Sequence, residues 1–143
     1  MKKINNKGFS LVELIVVIAI MAVLIGVLAP QFLKYVEKSR QSTDVQNVQE
    51  IKSAIEVYVA DTGSDANCKI EITGGDGGKA VVPSEIIGTD KIEGIKATTN
   101  LKSKTWPASI TFTYSASTGW TAGSATAFKN TAKPELDMMD VFK

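Results

Sequence analysis

Sixteen consecutive residues, Leu14 to Ala29, carry no charge, and extending the run back to Phe9 gives twenty-one residues with a single charge, Glu13. As a helix at ~1.5 Å per residue, that length covers ~30 Å, about one hydrocarbon core. The segment therefore reads as a membrane-spanning helix with a carboxylate near one end. A carboxylate in that position is costly and needs a physical reason.

The charges around the span give it a direction. Residues 1 to 8 hold Lys2, Lys3 and Lys7 and no acid. The positive-inside rule keeps these lysines cytoplasmic and places the C-terminal part outside. An ordinary secretory signal peptide also begins with a basic stretch and an apolar centre, and Val27-Leu28-Ala29 would be its cleavage site. Three features argue against that reading. Glu13 interrupts the apolar region, Pro30 would follow the cut, and the helical pattern continues beyond it.

The stretch Lys7-Gly8-Phe9-Ser10-Leu11-Val12-Glu13, followed by the apolar run with Pro30, resembles the class III signal of the type IV pilin and pseudopilin superfamily. The resemblance covers roughly residues 1 to 60 and rests on the combination rather than on any one residue. It implies that a prepilin peptidase cuts after Gly8 and methylates the new amine of Phe9, and that Glu13 holds the family's glutamate position. It also implies assembly into a helical homo-oligomeric filament, with a platform protein and an assembly ATPase as partners.

The residue chemistry fits those roles. Gly8 offers no side chain, so a peptidase pocket can approach the backbone closely. Cleavage would create a cationic amine at Phe9. Residues four apart share a helix face, so Glu13 can meet that amine in its own chain or in a neighbouring subunit, and the second option would set axial register. Pro30 lacks an N–H and leaves the carbonyl of residue 26 without its helical partner. That residue is Gly26, itself a weak helix former, so the turn between them is the soft point of the helix.

The remainder suggests an α+β fold: a long N-terminal helix packed on a small antiparallel sheet. The expected organisation is a cleaved leader over 1–8, a membrane or filament-core helix over 9–30, an amphipathic continuation over 31–62, and an extracellular β-rich domain over 63–143. Residues 37 to 44 are polar all round and read as a solvated or inter-subunit stretch, with Glu37/Arg40 and Arg40/Asp44 as supporting pairs. Val48, Ile51, Ile55 and Tyr58 then form an apolar stripe, flanked by Val45, Ala54 and Val59. Gly63 is the expected helix stop.

Strands are expected at Lys69–Thr73 and around Ala80–Val82, with a helical turn capped by Ser84 after them. Residues 91 to 97 are ambiguous. The clearest strand is Ser109–Tyr114, joined through Ala116-Ser117-Thr118-Gly119 to Trp120–Ala122 as a hairpin. Residues 123 to 143 read as a loose tail broken by Pro134 and anchored by Leu136, Met139, Val141 and Phe142.

Composition excludes several functions. There is no histidine, which removes the commonest general base and metal ligand, and the single Cys68 cannot form an internal disulfide. Residues 63 to 143 carry nine charges of each sign, without the basic footprint of a nucleic-acid-binding domain. Asp61, Asp65, Asn67 and Asp76 fit no EF-hand spacing. No nucleophile–base pair or phosphate loop is present, so neither an enzyme nor a cofactor or metal is expected. The leading expectation is a type IV pilus subunit. The alternatives are a pseudopilin of a type II secretion or competence system, and a membrane-anchored surface domain that does not polymerise.

Overall fold

The computed structural model describes residues 8–66, 68–87, 92, 94–106, 109–123 and 138–142. The leader lysines, Asn67, Pro134 and Leu136 lie outside these residues. One helix, α1 (Leu11–Thr62), is followed by five strands: β1 (Lys69–Thr73), β2 (Lys79–Val81), β3 (Thr98–Asn100), β4 (Ile110–Ser115) and β5 (Gly119–Ala122). Two 3-10 turns, Ser84–Ile86 and Met138–Phe142, complete the described elements. The chain divides into two compact units between Glu37 and Lys38.

In the first unit every residue from Gly8 to Tyr35 is exposed, and nearly all are apolar. Pro30 sits inside α1 without ending it. The expected soft turn at Gly26 and Pro30 is thus helical in the single chain.

The second unit is built on the other end of α1. Gln41, Asp44, Val48, Ile51, Ile55 and Val59 are the buried residues of α1, at spacings of three or four that make one seam along the helix. Val45, Ala54 and Tyr58 pack beside that seam. Gly63 ends α1 as expected. It adopts φ +67°, and its N–H donates to the Val59 carbonyl at 2.8 Å, a left-handed cap that suits a residue without a Cβ.

All four strand pairings are antiparallel, and the sheet order is β3-β2-β1-β4-β5. Alternation along β1 buries Ile70 and Ile72 and exposes Glu71 and Thr73. Ile72 sits opposite Ala80 of β2 and Ile110 of β4, and Ile70 opposite Phe112. These side chains join the α1 seam in one core with Cys68, Val82, Ile86, Ile92, Leu101 and Trp106. Cys68 is a buried free thiol, held above its usual pKa first by desolvation and then by the nearby Asp65 charge.

Several details differ from the sequence reading. The strand expected over Ala80–Val82 runs from Lys79 to Val81. The turn after it has Pro83 at its N-cap with no side-chain capping bond, because Ser84 lies inside the turn rather than before it. Of the ambiguous stretch, Lys91 lies outside the described residues, Ile92 is buried, and the strand begins later, at Thr98.

The largest difference concerns residues 37 to 44. Gln41 and Asp44 are buried, not solvated. The Asp44 carboxylate accepts the main-chain N–H of Lys102 at 2.7 Å and of Ser103 at 2.8 Å, and the indole N–H of Trp106 at 2.9 Å. Gln41, one turn earlier, donates its amide to the Thr105 hydroxyl. The loop after β3 is therefore pinned to the helix by two side chains that look like surface residues in sequence. A buried carboxylate is tolerated here because three donors replace water.

The tail also differs. Met138, not among the expected anchors, is fully buried, and Phe142 stacks on Phe112 with ring centroids 3.7 Å apart. Trp120 meets Phe142 edge-on at 5.0 Å and donates its indole N–H to Glu56 of α1 at 2.8 Å. Met139 and Val141 pack against the core as expected.

Candidate functional site

The residues singled out from sequence lie at the start of α1 and along its exposed part. Gly8 and Phe9 precede the helix, and Phe9 is 91% exposed. Gly8 is exposed too, and a Cβ added there would meet nothing within 4 Å. Both residues of the junction are therefore exposed.

Glu13 is the acidic residue of the first turn of α1. It also has a partner that sequence reasoning missed. The main-chain N–H of Ser10 donates to Oε2 of Glu13 at 2.8 Å, and the first helical bond follows from Leu14 N–H to the Ser10 carbonyl at 3.2 Å. The sequence signal was present as Ser10-Leu11-Val12-Glu13, the Ser-x-x-Glu pattern of a helix N-terminus.

This geometry corrects the argument that a helix places Phe9 and Glu13 on one face. The helix begins at Leu11, so Phe9 lies outside it, and its spacing of four from Glu13 carries no helical meaning.

Gly26 and Pro30 fall within an unbroken stretch of α1. A Cβ at Gly26 would meet nothing within 4 Å, so crowding does not explain the glycine. Around them, Leu14 to Leu28 expose one large apolar side chain after another, a surface water does not tolerate without a partner. The helix is long and apolar enough to cross a membrane, and its most apolar window has no buried residue.

Two of the acidic residues singled out in the outer unit, Asp65 and Asp76, have protein partners. Asp65 accepts the Ala116 main-chain N–H and the Ser115 hydroxyl, both at 3.0 Å, which ties the segment after α1 to the β4–β5 turn. Those two bonds, the Ala116 amide foremost, hold its carboxyl below the usual range. Asp76 pairs with Lys104 at 2.9 Å.

Comparison with known proteins agrees with this picture. The family model of the prokaryotic N-terminal methylation motif matches residues 3–29. A type IV major fimbrial protein FimA from Dichelobacter nodosus is 35% identical over 69 residues, covering 48% of this chain and 44% of the relative. A prepilin peptidase-dependent protein A from Clostridium perfringens (strain 13 / Type A) is 36% identical over 77 residues, covering 53% of this chain and 55% of the relative. The type IV major pilin protein PilA of Myxococcus xanthus (strain DK1622) is 36% identical over 50 residues, covering 35% of this chain and 23% of the relative. The chain thus spans about half the length of the first two of these relatives. No solved structure gives a significant match. The methylation motif, the similarity of the N-terminal half to type IV pilins and to a prepilin peptidase-dependent protein, and a long apolar helix followed by an antiparallel sheet together support the type IV pilin superfamily for this chain.

Proposed function

We propose that this chain is the structural subunit of a type IV pilus, held in the membrane as a single-span precursor and polymerised through its N-terminal helix. The observation that carries this reading is the run of exposed apolar residues in α1 immediately behind the Gly8–Phe9 junction. Such a surface is stable only in lipid or against other apolar helices. A filament supplies the second environment after the membrane has supplied the first.

In this reading the organisation is functional. Residues 1–8 are the leader, 9–30 the membrane and filament-core helix, 31–62 its amphipathic continuation, and 63–143 the outer domain. A prepilin peptidase cuts after Gly8 and methylates Phe9. Lys2, Lys3 and Lys7 keep the leader cytoplasmic, so the outer domain faces the cell exterior. A platform protein and an assembly ATPase draw the subunit out of the bilayer. Entering an apolar bundle, the Glu13 carboxylate requires a cation, and the Phe9 amine of a processed neighbour provides one in register.

The turn from about Ala22 to Pro30 stretches on assembly, since Gly26 and Pro30 weaken the same helical bond. A filament map with unbroken helix through Gly26 refutes that step. The whole reading is tested by electron microscopy of sheared surface filaments from cells with and without this chain, alongside N-terminal mass analysis. Filaments that vanish with the chain, and a mature N-terminus at methylated Phe9, are expected. A processed chain in cells whose surface filaments are unchanged by its loss fits the pseudopilin instead. A chain starting at Met1 or Pro30 removes the basis of both.

A further inference from the structure

The Glu13 carboxylate is engaged before any assembly partner arrives. Ser10 is the N-cap of α1 and Glu13 its third helical residue, so the 2.8 Å bond from the Ser10 N–H to Oε2 is the return half of a capping box. The other oxygen, Oε1, has no partner among the described residues. We propose that Glu13 caps the N-terminus of the membrane helix, and that the Ser10 main-chain amide is the positioning group that holds its carboxylate, a role separate from any charge pair made on assembly.

Three physical points support this. Helix N-termini leave their first N–H groups without internal partners, and near a bilayer core such groups are expensive. A negative charge at a helix N-terminus is favoured by the aligned peptide dipoles. The bond also restrains a three-torsion side chain, so one oxygen stays at the cap and the other is presented away from it. The donor belongs to residue 10, on the mature side of the Gly8–Phe9 junction, so the cap survives leader removal. The inference deepens the proposed function by giving the assembly carboxylate a fixed position, but the cap itself requires no polymer.

The cap hydrogen bond needs an acceptor oxygen, which a Gln carbonyl also supplies; the charge adds only the smaller dipole contribution. This separates Glu13→Gln from Glu13→Ala. The test uses the full-length chain, isotope-labelled, as a monomer in phosphatidylglycerol–phosphatidylcholine nanodiscs, and reads the Ser10 amide proton shift and the hydrogen exchange of residues 10 to 13. In Glu13→Ala the Ser10 amide is expected to move upfield and exchange roughly fivefold faster, the scale of one lost capping interaction. Glu13→Gln is expected to stay close to the parent, as is Ser10→Ala, because the donor is main chain. A Ser10 amide unchanged in Glu13→Ala, or displaced as far in Glu13→Gln, overturns the inference. Filament yield from Glu13→Gln is read separately: its loss with the cap intact shows the two roles are distinct. Filaments that form normally from Glu13→Gln would instead count against the charge-pairing part of the proposed function while leaving the cap in place.

Discussion

Replacing Asp44 by alanine is the sharpest test of how the outer unit holds its loop. The side chain is fully buried and accepts three hydrogen bonds, two from main-chain amides and one from an indole. Alanine removes all three acceptor contacts and leaves Lys102 N–H, Ser103 N–H and Trp106 Nε1–H without them. A buried donor left unsatisfied costs ~1–3 kcal/mol. Water entering the space left by the carboxylate recovers part of this, so the net loss is about 3 kcal/mol. For a unit of roughly 100 residues, each kcal/mol moves the midpoint by ~4–8 °C, giving a fall of about 12 °C or more. Asp44→Asn keeps the volume and one oxygen but turns an NH2 group toward a donor, and is expected to cost about half as much. The assay is thermal melting of the full chain in detergent, followed by near-UV circular dichroism of Trp106 and Trp120. The Trp106 indole proton should also shift in the NMR spectrum of Asp44→Ala. A midpoint within ~2 °C of the parent, with that indole resonance unmoved, would refute the reasoning.

Other outcomes follow from the same structure. Glu13→Ala should leave membrane level and cleavage after Gly8 largely intact while surface filament yield falls sharply, measured as sheared filament against whole-membrane subunit; normal yield would favour a plain anchor. Met138→Ala should destabilise the outer unit by about 2–5 kcal/mol, because Met138 is fully buried in the core, and denaturant titration would read it. Asp65 has a folded pKa below its unfolded value of 3.8, so its contribution is present above that value and lost as pH falls through the folded one. Asp65→Asn should therefore remove part of the fall in stability at acid pH, seen as a flatter profile of melting midpoint below about pH 4. Gly63→Ala should cost about 1–2 kcal/mol, since φ +67° is a left-handed conformation that a Cβ opposes; an unchanged melting midpoint would contradict that.

The features readable in sequence were those in which neighbours along the chain cause the structure. The span depends on a run of apolar residues, and the helix stop on one glycine. The β4–β5 hairpin depends on alternating residues around a short turn, and it formed with Gly119 inside β5 and Ala116–Thr118 as the turn. The same holds for β1, whose alternation buries Ile70 and Ile72. The capping box is legible too, as Ser-x-x-Glu from Ser10 to Glu13, because the carboxylate and the amide it accepts lie three residues apart.

What sequence alone left open depends on partners far along the chain. Asp44 looks like a surface acid because its neighbours are polar, and it is buried because Lys102, Ser103 and Trp106 bring donors from about sixty residues away. β3, a short Thr98-Thr99-Asn100 edge with no apolar alternation, is a strand only because β2 offers it hydrogen bonds. Phe142 is a core residue because Phe112 and Trp120 leave an aromatic surface for it to cover. Local pattern determines where a helix or hairpin begins and ends, whereas burial of a polar group or a chain end is decided only when separate segments meet and replace water for one another.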